Sequence, residues 1–118
     1  MKFKNTYLIE DAAIRTIEHF DENDLVNQEY EDIRIPGIVS TDSGTIVCAY
    51  ELRRTYGDRA AMDLGMKVST DLGQTWTERI IIKSGEGKHS VCSPVFIPDG
   101  ERLHLIYMED TVKVFYRY

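Results

Sequence analysis

Ser69-Thr70-Asp71-Leu72-Gly73-Gln74-Thr75-Trp76 lies between two apolar runs, Met62 to Val68 and Thr77 to Lys83. Such a polar, glycine-containing stretch between strand-like runs reads as the turn of a β-hairpin. Each residue has a mechanical use there. The Asp71 carboxylate can accept backbone N–H groups of the turn. Gly73 can take a positive φ without a Cβ clash. Trp76 can plug the space beneath the loop with a large apolar surface. The two runs are therefore expected to be a third and a fourth strand, with Ile80-Ile81-Ile82 at the centre of the fourth.

Two more strands precede this hairpin. Thr45 to Leu52 reads as one strand, and Ile33 to Ser40 is apolar and rich in β-branched residues. Pro36 marks the latter as an edge or bulged strand, and Thr41-Asp42-Ser43-Gly44 is a turn signal between the two. Four antiparallel strands over residues 33–83 approach the length of one β-propeller blade. The pattern then restarts over residues 84–118. Ser93-Pro94-Val95-Phe96 repeats the first strand and Pro98-Asp99-Gly100 repeats the turn. Leu103 to Met108 repeats the second strand, its Leu105-Ile106-Tyr107 matching the run Val47 to Tyr50, and Val112 to Tyr118 repeats the third. The fold expected is all-β, a propeller with its first blade and part of the second. A blade cannot bury both faces alone. The coding frame is thus expected to continue past Tyr118 with further Ser-x-Asp-x-Gly-x-x-Trp turns, and the isolated chain to self-associate. Residues 1–32 admit either a helix capped by Asp11, with Ile14, Ile17 and Phe20 on one side, or a closing strand around Tyr7-Leu8-Ile9.

Charged residues inside this apolar frame call for a use. Arg34 stands beside Ile35 and Pro36 at the start of a core strand, where a charge is costly unless paired or functional. A first hairpin turning near Asp42-Ser43 sets Arg34 opposite Glu51, within cross-strand reach. Arg53 follows on the same face, and the connection carrying Asp58 leaves the sheet at that end. Arg34, Glu51, Arg53 and Asp58 should converge at one rim, with the 69–76 turn at the other end. Asp63 reads as an ordinary polar-face residue.

The order Arg34-Ile35-Pro36, Glu51-Leu52-Arg53, Asp58 and then the 69–76 turn resembles the start of the glycoside hydrolase sialidases. The resemblance is close over residues 33–76 and looser over 91–118. The turn matches the Asp box of that family, with Ser69, Asp71, Gly73, Thr75 and Trp76 in structural roles. The resemblance implies a six-bladed propeller and an exo-α-sialidase that removes terminal sialic acid from glycoconjugates. Arg34 would be one of three arginines gripping the substrate carboxylate, for which a planar guanidinium fork is suited. Asp58 would be the acid/base catalyst, Glu51 would orient Arg34, and Arg53 would contact substrate beside Asp58. The tyrosine nucleophile, its glutamate and the other arginines would come from later blades; Tyr107, Tyr116 and Tyr118 match no nucleophile motif. The chain alone is then expected to be inactive. Two other readings remain: a non-catalytic Asp-box propeller module binding carbohydrate or protein, since fold does not set function, and the relic of a disrupted gene.

Composition narrows the partners. A formal net charge of −6 argues against nucleic acid or an anionic membrane as partner. Much of that charge lies in the acidic stretch before Ile33, from Glu10 to Asp32, which reads as solvated surface. The two cysteines, Cys48 and Cys92, sit in strand-like surroundings and read as buried free thiols. His19, His89 and His104 are scattered and nothing has zinc spacing, so neither metal nor cofactor is expected. Met1 to Asp11 lacks a signal-peptide core, which suggests a cytoplasmic address unless an upstream segment directs secretion.

Overall fold

The computed structural model describes residues 30–118, which form seven strands and, among the described residues, no helix. The expectations placed on Tyr7, Asp11, Ile14, Ile17, His19 and Phe20 lie outside them. The first sheet has the order β1 (Asp32–Ser40), β2 (Ile46–Arg53), β3 (Met62–Ser69) and β4 (Ile80–Lys83); the second has β5 (Val91–Asp99), β6 (Arg102–Glu109) and β7 (Lys113–Arg117). All neighbouring strands are antiparallel. The four expected strands and the restart are thus present as an all-β pair of sheets. The fourth strand is shorter than expected. Thr77 is drawn into closing the turn instead, its N–H donating to Val68 O at 2.9 Å and its Oγ1 accepting from Val68 N at 3.1 Å.

Proline sets the repeat. In β1 the register shifts between Arg34 and Gly37, so Ile35 and Pro36 together oppose Tyr50. In β5 it shifts between Cys92 and Val95, so Ser93 and Pro94 oppose Tyr107. Each is a β-bulge, two residues against one. In each, the residue before proline has positive φ, 52° at Ile35 and 57° at Ser93. For a β-branched isoleucine that is strained backbone. Gly37, two residues on, lets β1 run against β5: a Cβ there would stand 2.7 Å from Pro94 O.

Strand alternation divides the residues of β2 between two cores. Cys48, Tyr50 and Leu52 point to one face of the first sheet, where they pack with Tyr30 and Ile33 and with Trp76 at the margin. On the other face, Leu64 meets Val91, Leu105 and Tyr107, with Ile82 and Phe96 alongside. Glu51 and Arg53 lie on this second, inter-sheet face. Cys48 and Cys92 are buried free thiols, as the sequence suggests, and burial, followed by the nearby Glu51 charge, pushes the Cys92 thiol up. Far from the rim, the two sheets are clasped at their turns: Glu101 accepts Ser43 N and Ser43 Oγ at 2.6 and 2.8 Å.

The 69–76 turn is built as its residue types require. Ser69 Oγ donates to Asp71 Oδ1 at 2.8 Å and accepts from Gly73 N at 2.9 Å. Asp71 also accepts Thr75 N and Thr75 Oγ1, and Trp76 Nε1 donates to Gly73 O. Gly73 has φ 85°. The Thr75 hydroxyl and amide, then Ser69, hold the Asp71 carboxyl down to about 2. In an unfolded chain it would titrate at ~3.9. A depressed folded value contributes stability above the unfolded pKa, and that contribution is lost as pH falls through the window down to about 2. Thermal midpoints of wild type and Asp71→Asn should therefore differ at neutral pH and converge as the solution is acidified across that window. A constant gap would mean that the turn does not depend on the carboxylate charge.

Candidate functional site

The end of the first sheet opposite the Asp71 turn gathers Asp32, Arg34, Glu51, Arg53 and Asp58. The expected register holds: Arg34 pairs with Glu51, and Asp32 with Arg53. The side chains, however, choose other partners. Glu51 Oε2 accepts Arg53 Nε at 2.9 Å and Arg53 Nη2 at 2.7 Å, while Glu51 Oε1 accepts the Ser93 amide at 2.9 Å. Glu51 thus engages Arg53 and the second sheet, and the expectation that it orients Arg34 is corrected. The carboxylate of β2 is taken by the arginine two residues along its own strand, whose side chain comes at it with two N–H groups.

Arg34 makes a long ion pair with Asp32, Nε to Oδ2 3.9 Å, and its side chain is 39% exposed. Asp32, expected among solvated acids, is buried and accepts Ile33 N. Arg53 is buried too; its Nη1 donates at 2.9 Å to Oδ1 of Asp58, whose side chain is 89% exposed. Burial works against the Arg53 charge, but the hydrogen bonds to Glu51 and Asp58 outweigh it and raise its pKa. The rim therefore carries one half-exposed guanidinium, one exposed carboxylate, and a buried ion pair beneath them. Such a surface offers hydrogen-bond donors at Arg34 and acceptor oxygens at Asp58.

Asp63 departs from its expected ordinary role. It is buried and accepts Ser84 Oγ at 2.9 Å, Gly85 N at 2.8 Å and the Tyr30 hydroxyl, and pairs with Arg54 at 3.0 Å. Burial pushes this carboxyl up; the hydrogen bonds from Tyr30, Gly85 and Ser84 and the Arg54 charge win and hold it low. Arg54 and Arg79 lie over the Tyr30 ring, 5.2 and 5.3 Å from its centroid. This cluster ties Tyr30 and the 84–85 turn to β3. No sequence signal pointed to it, because Tyr30 and Ser84 lie 33 and 21 residues from Asp63.

Two further groupings were not legible in the sequence. His89 Nδ1 lies 2.7 Å from Asp110 Oδ2, with Glu109 close enough that the three could share a cation. Asp110 is already committed, since it also accepts Ser90 N at 3.1 Å. The His89 hydrogen bond, then that of Ser90, lowers its pKa. An apolar cleft of about 420 Å³ lies between the sheets, lined by residues including Val47, Met66, Ile80, Phe96 and Leu103. None of Arg34, Glu51, Arg53 and Asp58 lines it, so the charged rim and the apolar cleft are separate features. No protein-family model and no curated protein matches this chain.

Proposed function

We propose that the rim of Arg34 and Asp58 is part of the active site of an exo-α-sialidase, which hydrolyses terminal sialic acid from glycoconjugates. The observation that carries this reading is that a half-exposed arginine, Arg34, and an exposed loop aspartate, Asp58 on its Arg53 contact, both stand at the end of the sheet opposite the Asp71 turn. A plain structural turn-and-strand repeat needs neither charge there, which favours the enzyme over a non-catalytic module binding carbohydrate or protein. In this proposal Arg34 binds the sialic acid carboxylate by its guanidinium fork. Asp58 protonates the leaving oxygen and then activates water. Arg34 faces Asp32, so a single arginine would be a weak anion trap; the resemblance implies two more arginines, with the tyrosine nucleophile and its glutamate, from further blades of a six-bladed propeller.

The test is a titration of free sialic acid into the product of the full reading frame that encodes this chain and into its Arg34→Lys variant, followed by amide chemical shifts. Wild type should show shifts around Arg34, weakened about tenfold or more by lysine, whose point charge cannot reproduce the bidentate contact. Equal affinity in both would remove Arg34 from the reading. Release of sialic acid by the full reading frame that encodes this chain is the second arm, and its absence would remove the enzyme.

The propeller arrangement also bears on assembly. On the second sheet, Val95, Ile97, Val114 and Tyr116 share a solvent-facing side and are 48–70% exposed. In a propeller the next blade would cover that side. In the isolated 118-residue chain it is open, and contiguous exposed apolar surface promotes association. Sedimentation of the isolated chain is expected to show concentration-dependent self-association; a monomer at high concentration would count against the arrangement.

A further inference from the structure

We propose that Arg53 is a positioning residue and not a substrate ligand: with Glu51 it forms a buried strut that holds Asp58 on the rim, and the strut is anchored on the second sheet through the Ser93 amide. The structural half of this stands on geometry; its kinetic half rests on the reading of Asp58 as the acid/base group. An arginine that grips a substrate presents its fork to solvent. Arg53 does the reverse. It is 2% exposed, and Nε and Nη2 both face Glu51 Oε2. Its remaining edge, Nη1, is the one that reaches the rim, and Asp58 Oδ1 meets it there. A ligand could contact Arg53 only by displacing Asp58.

The anchor is a product of the β5 bulge. Ser93 and Pro94 fall outside the β5–β6 pairing, and the φ of 57° at Ser93 turns its N–H out of the ladder. That N–H donates to Glu51 Oε1 across the sheets. A buried carboxylate then has one oxygen held by Arg53 and the other by the second sheet, with little freedom left. Asp58 itself follows Gly57 in the loop between β2 and β3. An exposed aspartate in such a loop samples several rotamers. The fixed Nη1 selects among them. The strut thus makes the position of a loop carboxylate depend on how the two sheets dock.

Two measurements test this. In the 118-residue chain, backbone relaxation and amide exchange are compared for wild type, Asp58→Ala and Arg53→Lys. Asp58→Ala removes only the exposed end, so the chain should stay folded. Residues 54–61 should become more mobile while residues 69–76 are unchanged. Arg53→Lys should loosen the same loop. If residues 54–61 move no more in Asp58→Ala than in wild type, the strut does not hold the loop and the proposal fails. In the full reading frame, Arg53→Lys should lower kcat about 10- to 100-fold, the cost of a misplaced catalytic group, with KM changed less than about twofold. A raised KM with unchanged kcat would make Arg53 a substrate ligand and overturn the kinetic half. If the wild-type frame releases no sialic acid while the loop measurements come out as expected, the enzyme reading fails and the strut stands.

Discussion

Under the proposed sialidase reading, Asp58→Ala in the full reading frame that encodes this chain is expected to lower turnover by about 10²–10⁴-fold on natural sialosides, the usual worth of a positioned general acid. The leaving group decides the size of the effect. A sugar alkoxide cannot depart from the anomeric carbon without a proton, so its expulsion depends on the acid. An aryl sialoside with an acidic phenol leaves without that help, and its first step should be far less affected. Activity measured on both substrates separates the role from mere structural damage, which would lower both alike. Asp58 suits the contrast because its side chain is 89% exposed and only its Arg53 contact is lost on truncation. Equal turnover of wild type and variant on the natural substrate would remove Asp58 from the chemistry.

Glu51→Ala should be the most damaging single change to the fold. Glu51 is 2% exposed and carries three hydrogen bonds, two from Arg53 and one from Ser93. Removing it leaves a buried guanidinium with Asp58 alone and an inter-sheet amide without its acceptor. Breaking one side of a buried ion pair typically costs about 3–5 kcal/mol. That is a large share of the ~5–15 kcal/mol by which domains are stable. Urea unfolding of the chain should show the midpoint falling steeply or the native baseline disappearing. Arg34→Ala, at a half-exposed position with a long ion pair, is the control and should change the midpoint little. If Glu51→Ala unfolded at the wild-type midpoint, the buried pair would carry no part of the docking between sheets.

What could be read from the sequence follows the range over which each feature is determined. The hairpin at residues 69–76 is local: Ser69, Asp71, Gly73 and Thr75 bond to one another within the turn, so the string alone specifies it. The pairing of Arg34 with Glu51 follows from one turn position and strand alternation. The choice of side-chain partner does not, because Glu51 could reach across to Arg34 or along to Arg53. Packing against β5 decides it, through an amide 42 residues away. Asp63 departs from its sequence pattern for the same reason, since its partners come from the 84–85 turn and from Tyr30. Asp32 shares the charge of its acidic neighbours, but its place at the start of β1 buries it. Thr77 to Arg79 look like strand by residue type, but closing the turn takes Thr77 first.

The Ser93 amide gives the rim a date as well as a shape. A chain is made from its N-terminus at about 5–20 residues per second, so a segment of 42 residues takes roughly 2–8 s to follow. Glu51 and Arg53 are therefore synthesised seconds before the group that locks them. Until Ser93 has been made, Glu51 Oε1 lacks its inter-sheet donor and the strut behind Asp58 has no anchor on the second sheet. The carboxylate is set in place only when the second proline bulge arrives, so the order of synthesis makes a completed rim a sign that two sheets have already docked.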